Sequence, residues 1–180
     1  GLICTNRKRK SAAHERIARF LNARKYAFLV YNPLLRNSFR YVYQAQLEEF
    51  GRLYGRHPSH IDGHHHQHLC LNMLVDRIIA DGEKVRRNFH FWPDEKGWAN
   101  RAYRRAIDRL LARRCTVADY FFALAHCIAG RRRARVMELA RTASVEVMTH
   151  PVVPVERSFL LSDEFQSTFG SLELKTYSSL

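Results

Sequence analysis

Acidic residues are scarce in this chain: 17 Asp and Glu stand against 30 Lys and Arg, a formal net charge of +13 with the ten histidines counted as neutral. Such an excess attracts polyanions without naming one, since the basic residues are spread along the chain instead of gathered in a tail. No Cys-x-x-Cys pair occurs. Cys4, Cys70, Cys115 and Cys127 lie far apart, which excludes a zinc ribbon and a redox dithiol and leaves reduced thiols packed as small hydrophobes as the expectation. The longest apolar stretch, about Tyr120 to Ala129, contains His126 and falls short of the ~20 residues that cross a bilayer. The first ten residues lack the order of a secretory signal, so a soluble, cytoplasmic protein is expected. Gly1 stands where an initiating Met would, which leaves room for sequence upstream. At 46% apolar and 12% aromatic residues, 180 residues suffice for a packed core, and intrinsic disorder is excluded as the main description.

Periodicity supplies the organisation. A short helix is expected from Ser11 to about Ala23, followed by an apolar run, Tyr26 to Tyr31, stopped at Asn32-Pro33. From Asn37, the residues Phe39, Val42, Tyr43, Leu47, Phe50 and Tyr54 recur at three- and four-residue steps and predict an amphipathic helix ending at Gly55. Ser59 to Asp62 reads as a short extended segment broken by Gly63. A helix over Leu71 to Ala80, a strand over Lys84 to Phe91 and a basic helix over Trp98 to Arg113 follow, the last with Tyr103, Ile107, Leu110 and Leu111 inward. Tyr120 to Leu124 is ambiguous between strand and buried helix. Arg131 to Arg141 reads as helix and Ser144 to Met148 as a β-branched strand. Alternating helix and strand argue for parallel β/α units, either an open α/β sheet or a barrel.

Six of the ten histidines fall within twelve residues: His57, His60, His64, His65, His66 and His68, with Asp62 and Gly63 among them. Imidazole is the commonest side-chain metal ligand, and a nearby carboxylate can orient a ring by accepting its second N–H. A metal site is therefore expected, against a solvated polar loop or rings used for ordinary hydrogen bonds. His60 and Asp62 share one face of an extended segment, and His64 lies just past its carboxyl end, where α/β folds place their chemistry. His64 and His68 would meet at i, i+4 if a helix began early. Neither arrangement completes a ligand set alone. The second constellation is Glu146-Val147-Met148-Thr149-His150-Pro151. Here a strand delivers His150 to its carboxyl end, expected on the same face of the fold as His64, where an imidazole suits proton transfer to a leaving amine.

Taken together, the two motifs resemble the ChbG/HpnK family of carbohydrate deacetylases, also called YdjC-like proteins. The pattern Pro-Thr/Ser-His-aliphatic-Asp-Ser/Gly-His-x-His-x-His is met from Pro58 to His66 and on to His68, and Glu-aliphatic-Met-x-His-Pro from Glu146 to Pro151. The likeness is legible over residues 37–180, including a Leu-x-x-Tyr ending at Leu174 to Tyr177, whereas residues 1–36 read as a basic segment with no assignment. The resemblance implies a distorted (β/α) barrel that removes the acetyl group of an N-acetylated sugar, of chitooligosaccharide or glycolipid type, with one divalent metal ion, Mg or Zn. By that likeness His64 binds the metal, His150 is the catalytic acid, and His60, Asp62, His66 and His68 orient the metal ligand or touch sugar. Arg86, or its neighbour Arg87, and Glu146 line the substrate pocket.

Members of that family normally begin with a strand carrying Asn-Ala-Asp-Asp-Phe-Gly and have an early Gly-x-His. No Asp-Asp pair occurs in these 180 residues and no Gly-x-His precedes residue 37. The expectation is therefore a partial barrel with its first strands missing, holding one of three expected metal ligands and the acid but not the base. Two other readings stay open. One is a non-catalytic basic module that holds an anionic glycan or nucleic acid with its Arg, Lys and aromatic residues, including Arg104-Arg105, Arg113-Arg114 and Arg131-Arg132-Arg133, although solvated helix faces are the favoured reading of those runs. The other is a weak zinc or nickel site of His60, His64 and His68 without turnover. No membrane span is expected, nucleic acid is the less favoured partner, and an oligomer is compatible with the sequence.

Overall fold

A computed structural model describes residues 12–128 and 130–179. It divides into two compact units, one through Val85 and one from Arg86 onward.

The first unit is built on two helices, α1 (Ala12–Asn22) and α2 (Arg36–Tyr54). Asn32 starts the approach to α2 by accepting the Leu34 N–H at 3.1 Å ahead of Pro33, the position proline favours because its fixed φ suits a first turn. Gly55 ends the helix at φ 65 and returns its N–H to the Gly51 carbonyl, a left-handed stop that glycine adopts without a Cβ penalty. Ile17, Phe39 and Tyr43 are buried from these helices. The extended segment around Ile61 pairs in parallel with Val85, and the Ile61 N–H donates to the Lys84 carbonyl at 2.8 Å.

The next helix, α3, covers only Leu71–Val75 instead of running to Ala80. Polar anchoring stops it. Asp76 is buried and accepts from Arg36 Nε at 2.6 Å and Tyr31 Oη at 2.9 Å, and Arg77 turns to φ 48. Asn72 is 1% exposed and clasps the Asn32 backbone from both sides, accepting its N–H at 3.1 Å and donating to its carbonyl at 2.8 Å. A buried amide satisfied in this way holds the chain more tightly than propensity would.

The second unit holds α4 (Trp98–Ala112), β1 (Tyr120–Ala123), α5 (Gly130–Ala140), β2 (Val145–Met148), α6 (Pro154–Leu160) and α7 (Asp163–Phe169). β1 and β2 are parallel with Phe121 opposite Glu146 and Ala123 opposite Met148, and α5 connects them. The ambiguity at Tyr120 to Leu124 thus resolves as a strand followed by a single 3-10 turn. Period-two alternation then sorts the side chains. Val145 packs with Phe122, Cys127 and Val136, and Val147 with Leu124, Phe159 and Phe169, on the helix-covered face. The opposite face carries Phe121, Glu146 and Met148.

Residues 86–91 are extended but carry no strand assignment; the His90 N–H joins β1 by donating to the Phe121 carbonyl at 2.8 Å. Phe89 stacks on Phe121 with centroids 4.5 Å apart. Arg87 and Asn88 tie this segment to α4, for Asp108 accepts from Arg87 Nη2, the Asn88 N–H and Asn88 Nδ2, each at 3.0 Å. Leu110, expected inward, is 49% exposed, because the inward register of α4 falls on Ile107, Asp108 and Leu111. Cys70, Cys115 and Cys127 are buried, as expected; Cys4 lies outside the described residues. The fold is mixed α/β with two parallel strands. Among the described residues no helix is long and apolar enough to cross a membrane.

Candidate functional site

The histidine motif forms a candidate cluster in the first unit. From Gly63 the chain enters a 3-10 turn, His64–Leu69, in which His65 and His66 adopt left-handed φ of 50° and 59°. Consecutive left-handed residues with a Cβ cost roughly 1–2 kcal/mol each, and strain of this kind collects where geometry serves a task beyond packing. The turn splits the histidines. His64 and His65 are exposed with ring centroids 4.0 Å apart, whereas His68 is 4% exposed. His64 and His68 are therefore not an i, i+4 pair on one helix face.

The Gly63 N–H donates to His68 Nδ1 at 3.0 Å. A ring nitrogen that accepts carries no proton, so His68 is neutral with its hydrogen on Nε2, and neither nitrogen then offers a lone pair to a metal ion. His68 braces the turn. Gly63 is the residue that permits it, since a Cβ there would lie 2.8 Å from both the backbone nitrogen and Nδ1 of His68. His60 and Asp62 are half-buried, and His60 Nδ1 lies 3.1 Å from Ser59 Oγ. A cavity of about 420 Å³ adjoins them, with His60, Asp62 and His68 on one wall and Phe39, Tyr43 and Phe50 among the apolar residues facing it. That volume falls in the range of small-molecule pockets.

Another candidate cluster lies in the second unit, on the Phe121–Glu146–Met148 face of the strand pair. Arg86 is 5% exposed, stacks its guanidinium 4.9 Å above the Phe121 ring and donates to Met148 Sδ at 3.5 Å. Glu146 accepts a hydrogen bond from the Tyr177 hydroxyl. Two residues past β2, the His150 side chain is 47% exposed. Its backbone N–H donates to Glu156 Oε2 at 2.5 Å, and its Nδ1 lies 3.4 Å from Glu156 Oε1. Glu156 is 2% exposed.

Glu156 is the site residue that sequence reading missed. Its signal was present, a Glu at the third position of a helix opened by Pro154, but that pattern reads first as an ordinary helix cap. The Arg87 guanidinium contacts Asp108 and the Ala118 and Asp119 carbonyls.

A family model spans residues 4–177 of the chain, both motifs included. The chain belongs to the YdjC-like protein family. The family match reaches into the amino-terminal segment in which no motif is legible. No curated protein and no solved structure matches the chain. Among the described residues, no three His, Cys, Asp or Glu side chains stand together as a group that could hold a metal ion. Several of the basic residues are committed to internal contacts. Arg132 pairs with Glu95 at 2.6 Å and lies over the Phe91, Trp92 and Phe122 rings, Arg133 pairs with Glu164, and Arg135 with Asp94.

Proposed function

We propose that this YdjC-like protein is a carbohydrate deacetylase that hydrolyses the N-acetyl amide of an amino sugar, with a chitooligosaccharide or glycolipid as substrate type. The observation that carries the reading is His150: a half-exposed imidazole past the carboxyl end of a parallel strand, backed by a buried carboxylate. Amide hydrolysis needs a proton delivered to the departing nitrogen, because an amine leaves far more readily than its anion. A positioned imidazolium delivers that proton near neutral pH and is left as the neutral imidazole, and such a group typically contributes 10²–10⁴-fold in rate. His150 is assigned this role. Arg86 and Glu146, on the same strand-pair face, are assigned to sugar hydroxyls, which donate to a carboxylate and accept from a guanidinium. His60, Asp62 and His66 are assigned to the substrate side of the histidine motif, and the partial distorted barrel belongs to the same proposal.

A divalent ion, Mg or Zn, completes the reading, with His64 as one ligand. The described residues do not assemble the rest of a ligand set. The test is acetate release from N-acetylglucosamine oligomers by the native protein supplied with Mg²⁺ or Zn²⁺. His64→Ala and His150→Ala are each expected to lower kcat by about 100-fold or more, the lower bound for a positioned acid. Turnover that survives both substitutions overturns the roles assigned here. Absence of acetate, together with tight nucleic-acid binding that weakens steeply with salt, would favour the basic binding module instead.

A further inference from the structure

We infer that Glu156 is a positioning residue that fixes the His150 imidazole with its proton on Nδ1, leaving Nε2 as the nitrogen presented for proton transfer; the inference deepens the reading of His150 as the acid. The two carboxylate oxygens divide the work. Oε2 accepts the His150 backbone N–H at 2.5 Å and Oε1 lies 3.4 Å from Nδ1. On the other side, the His150 carbonyl accepts the Val153 N–H at 2.8 Å, closing a turn with Pro151 in its second position, where proline's fixed φ is suited to the bend. The backbone at His150 is thereby held from two directions. Rotation of the ring is the freedom that remains, and Oε1 is the group facing it.

An ionised carboxylate only accepts, so the nitrogen that faces Glu156 must carry the hydrogen. The opposite nitrogen, Nε2, then lies away from the carboxylate on a ring that is 47% exposed, while the Glu156 side chain is 3% exposed. The contrast in burial separates this from helix capping. A capping Glu at the third helical position reaches back to the backbone N–H of the residue just before the helix, here Val153; Glu156 reaches three residues further, to His150. A buried carboxylate that sets the tautomer of an exposed imidazole is an arrangement through which one residue governs another's chemistry.

The test reads the tautomer directly, by ¹⁵N-edited NMR of the His150 ring in the full chain at a pH where the ring is neutral. The wild-type ring is expected with hydrogen on Nδ1. In Glu156→Gln the single carbonyl oxygen serves the backbone N–H, because an NH₂ group cannot accept; the NH₂ then faces Nδ1, and the hydrogen moves to Nε2. Glu156→Asp keeps an acceptor and is expected to restore the Nδ1–H form in part. With N-acetylglucosamine oligomers, Glu156→Gln should lower kcat at least tenfold with KM little changed, a split that a purely structural residue would not produce. A wild-type ring carrying its hydrogen on Nε2 overturns the inference without any variant, as does an unchanged tautomer in a folded Gln variant. Expected tautomers with no acetate released by any form would overturn the deacetylase reading and leave the positioning intact.

Discussion

A methyl group at position 63 would be driven into a neighbour that cannot step aside. The Cβ of Gly63→Ala falls 2.8 Å from the backbone nitrogen of His68, 2.8 Å from Nδ1 and 2.9 Å from Cβ of the same residue, so relief requires moving backbone in a turn that already holds two left-handed histidines. Three effects compete. Overpacking costs about 1–3 kcal/mol, and weakening the buried bond from the Gly63 N–H to His68 costs about 1 kcal/mol more. Against these, replacing glycine by alanine reduces the freedom of the unfolded chain and returns about 0.4–1 kcal/mol. The clash wins, by about 2 kcal/mol net, which corresponds to roughly 30-fold in an opening equilibrium.

The assay must look at the first unit, because both tryptophans, Trp92 and Trp98, belong to the second. Amide hydrogen exchange at His68, Leu69 and Cys70 reports the opening of this segment and should accelerate by roughly 30-fold. Gly51→Ala is the control. It lies inside α2 with nothing within 4 Å of the added carbon, so alanine there should stabilise by about 0.5–1 kcal/mol through helix propensity alone. Unchanged exchange in Gly63→Ala, or stabilisation equal to that of Gly51→Ala, would refute the claim that His68 is packed and bonded against Gly63.

Two further outcomes follow from burial. Burial pushes the Cys127 thiol up to about 11 and the Cys70 thiol upward as well, and since the thiolate is the reactive form, neither should be alkylated by iodoacetamide at pH 7.5 until the chain unfolds; native labelling at the rate of a free thiol, read by mass spectrometry, would contradict this. Burial, with Arg87 second, lowers the affinity of the His90 ring for a proton below its ordinary value of 6.5. The unfolded chain therefore binds the proton first, so this group makes stability of the second unit fall as the pH drops below about 6.5, and stability rises again with pH. His90→Gln should flatten that part of the profile, measured by urea unfolding followed through tryptophan fluorescence; an unchanged slope would show that other groups set it.

Much of the fold could be read from residue order. Three- and four-residue spacing placed α2 within one residue of its observed start, and Gly55 marked its end because a left-handed stop asks for glycine. The β-branched run before His150 marked β2, and the basic periodic stretch marked α4. Tertiary contacts decided where pattern and packing part company. Asp76, bound by Arg36 and Tyr31, ends α3 five residues short of the expected stop. The extended segment from Arg86 relies on Asp108 of α4 and on the bond from the His90 N–H to β1. Leu110 faces outward because burial of Asp108 turns α4 toward its polar partners.

The site divides in the same way. The two motifs named candidate residues, since imidazole and carboxylate have few equals as proton carriers and ligands, and the family match spans both motifs. What each imidazole does was not written there. His68 and His150 are the same residue type in equally suggestive settings, yet one is buried and accepts from Gly63 while the other is half-exposed and faces Glu156. The role of a histidine depends on which of its nitrogens is occupied and by what. Those partners lie five and six residues away along the chain, and only the fold, through a strained turn in one case and a proline-led helix in the other, brings them within bonding distance.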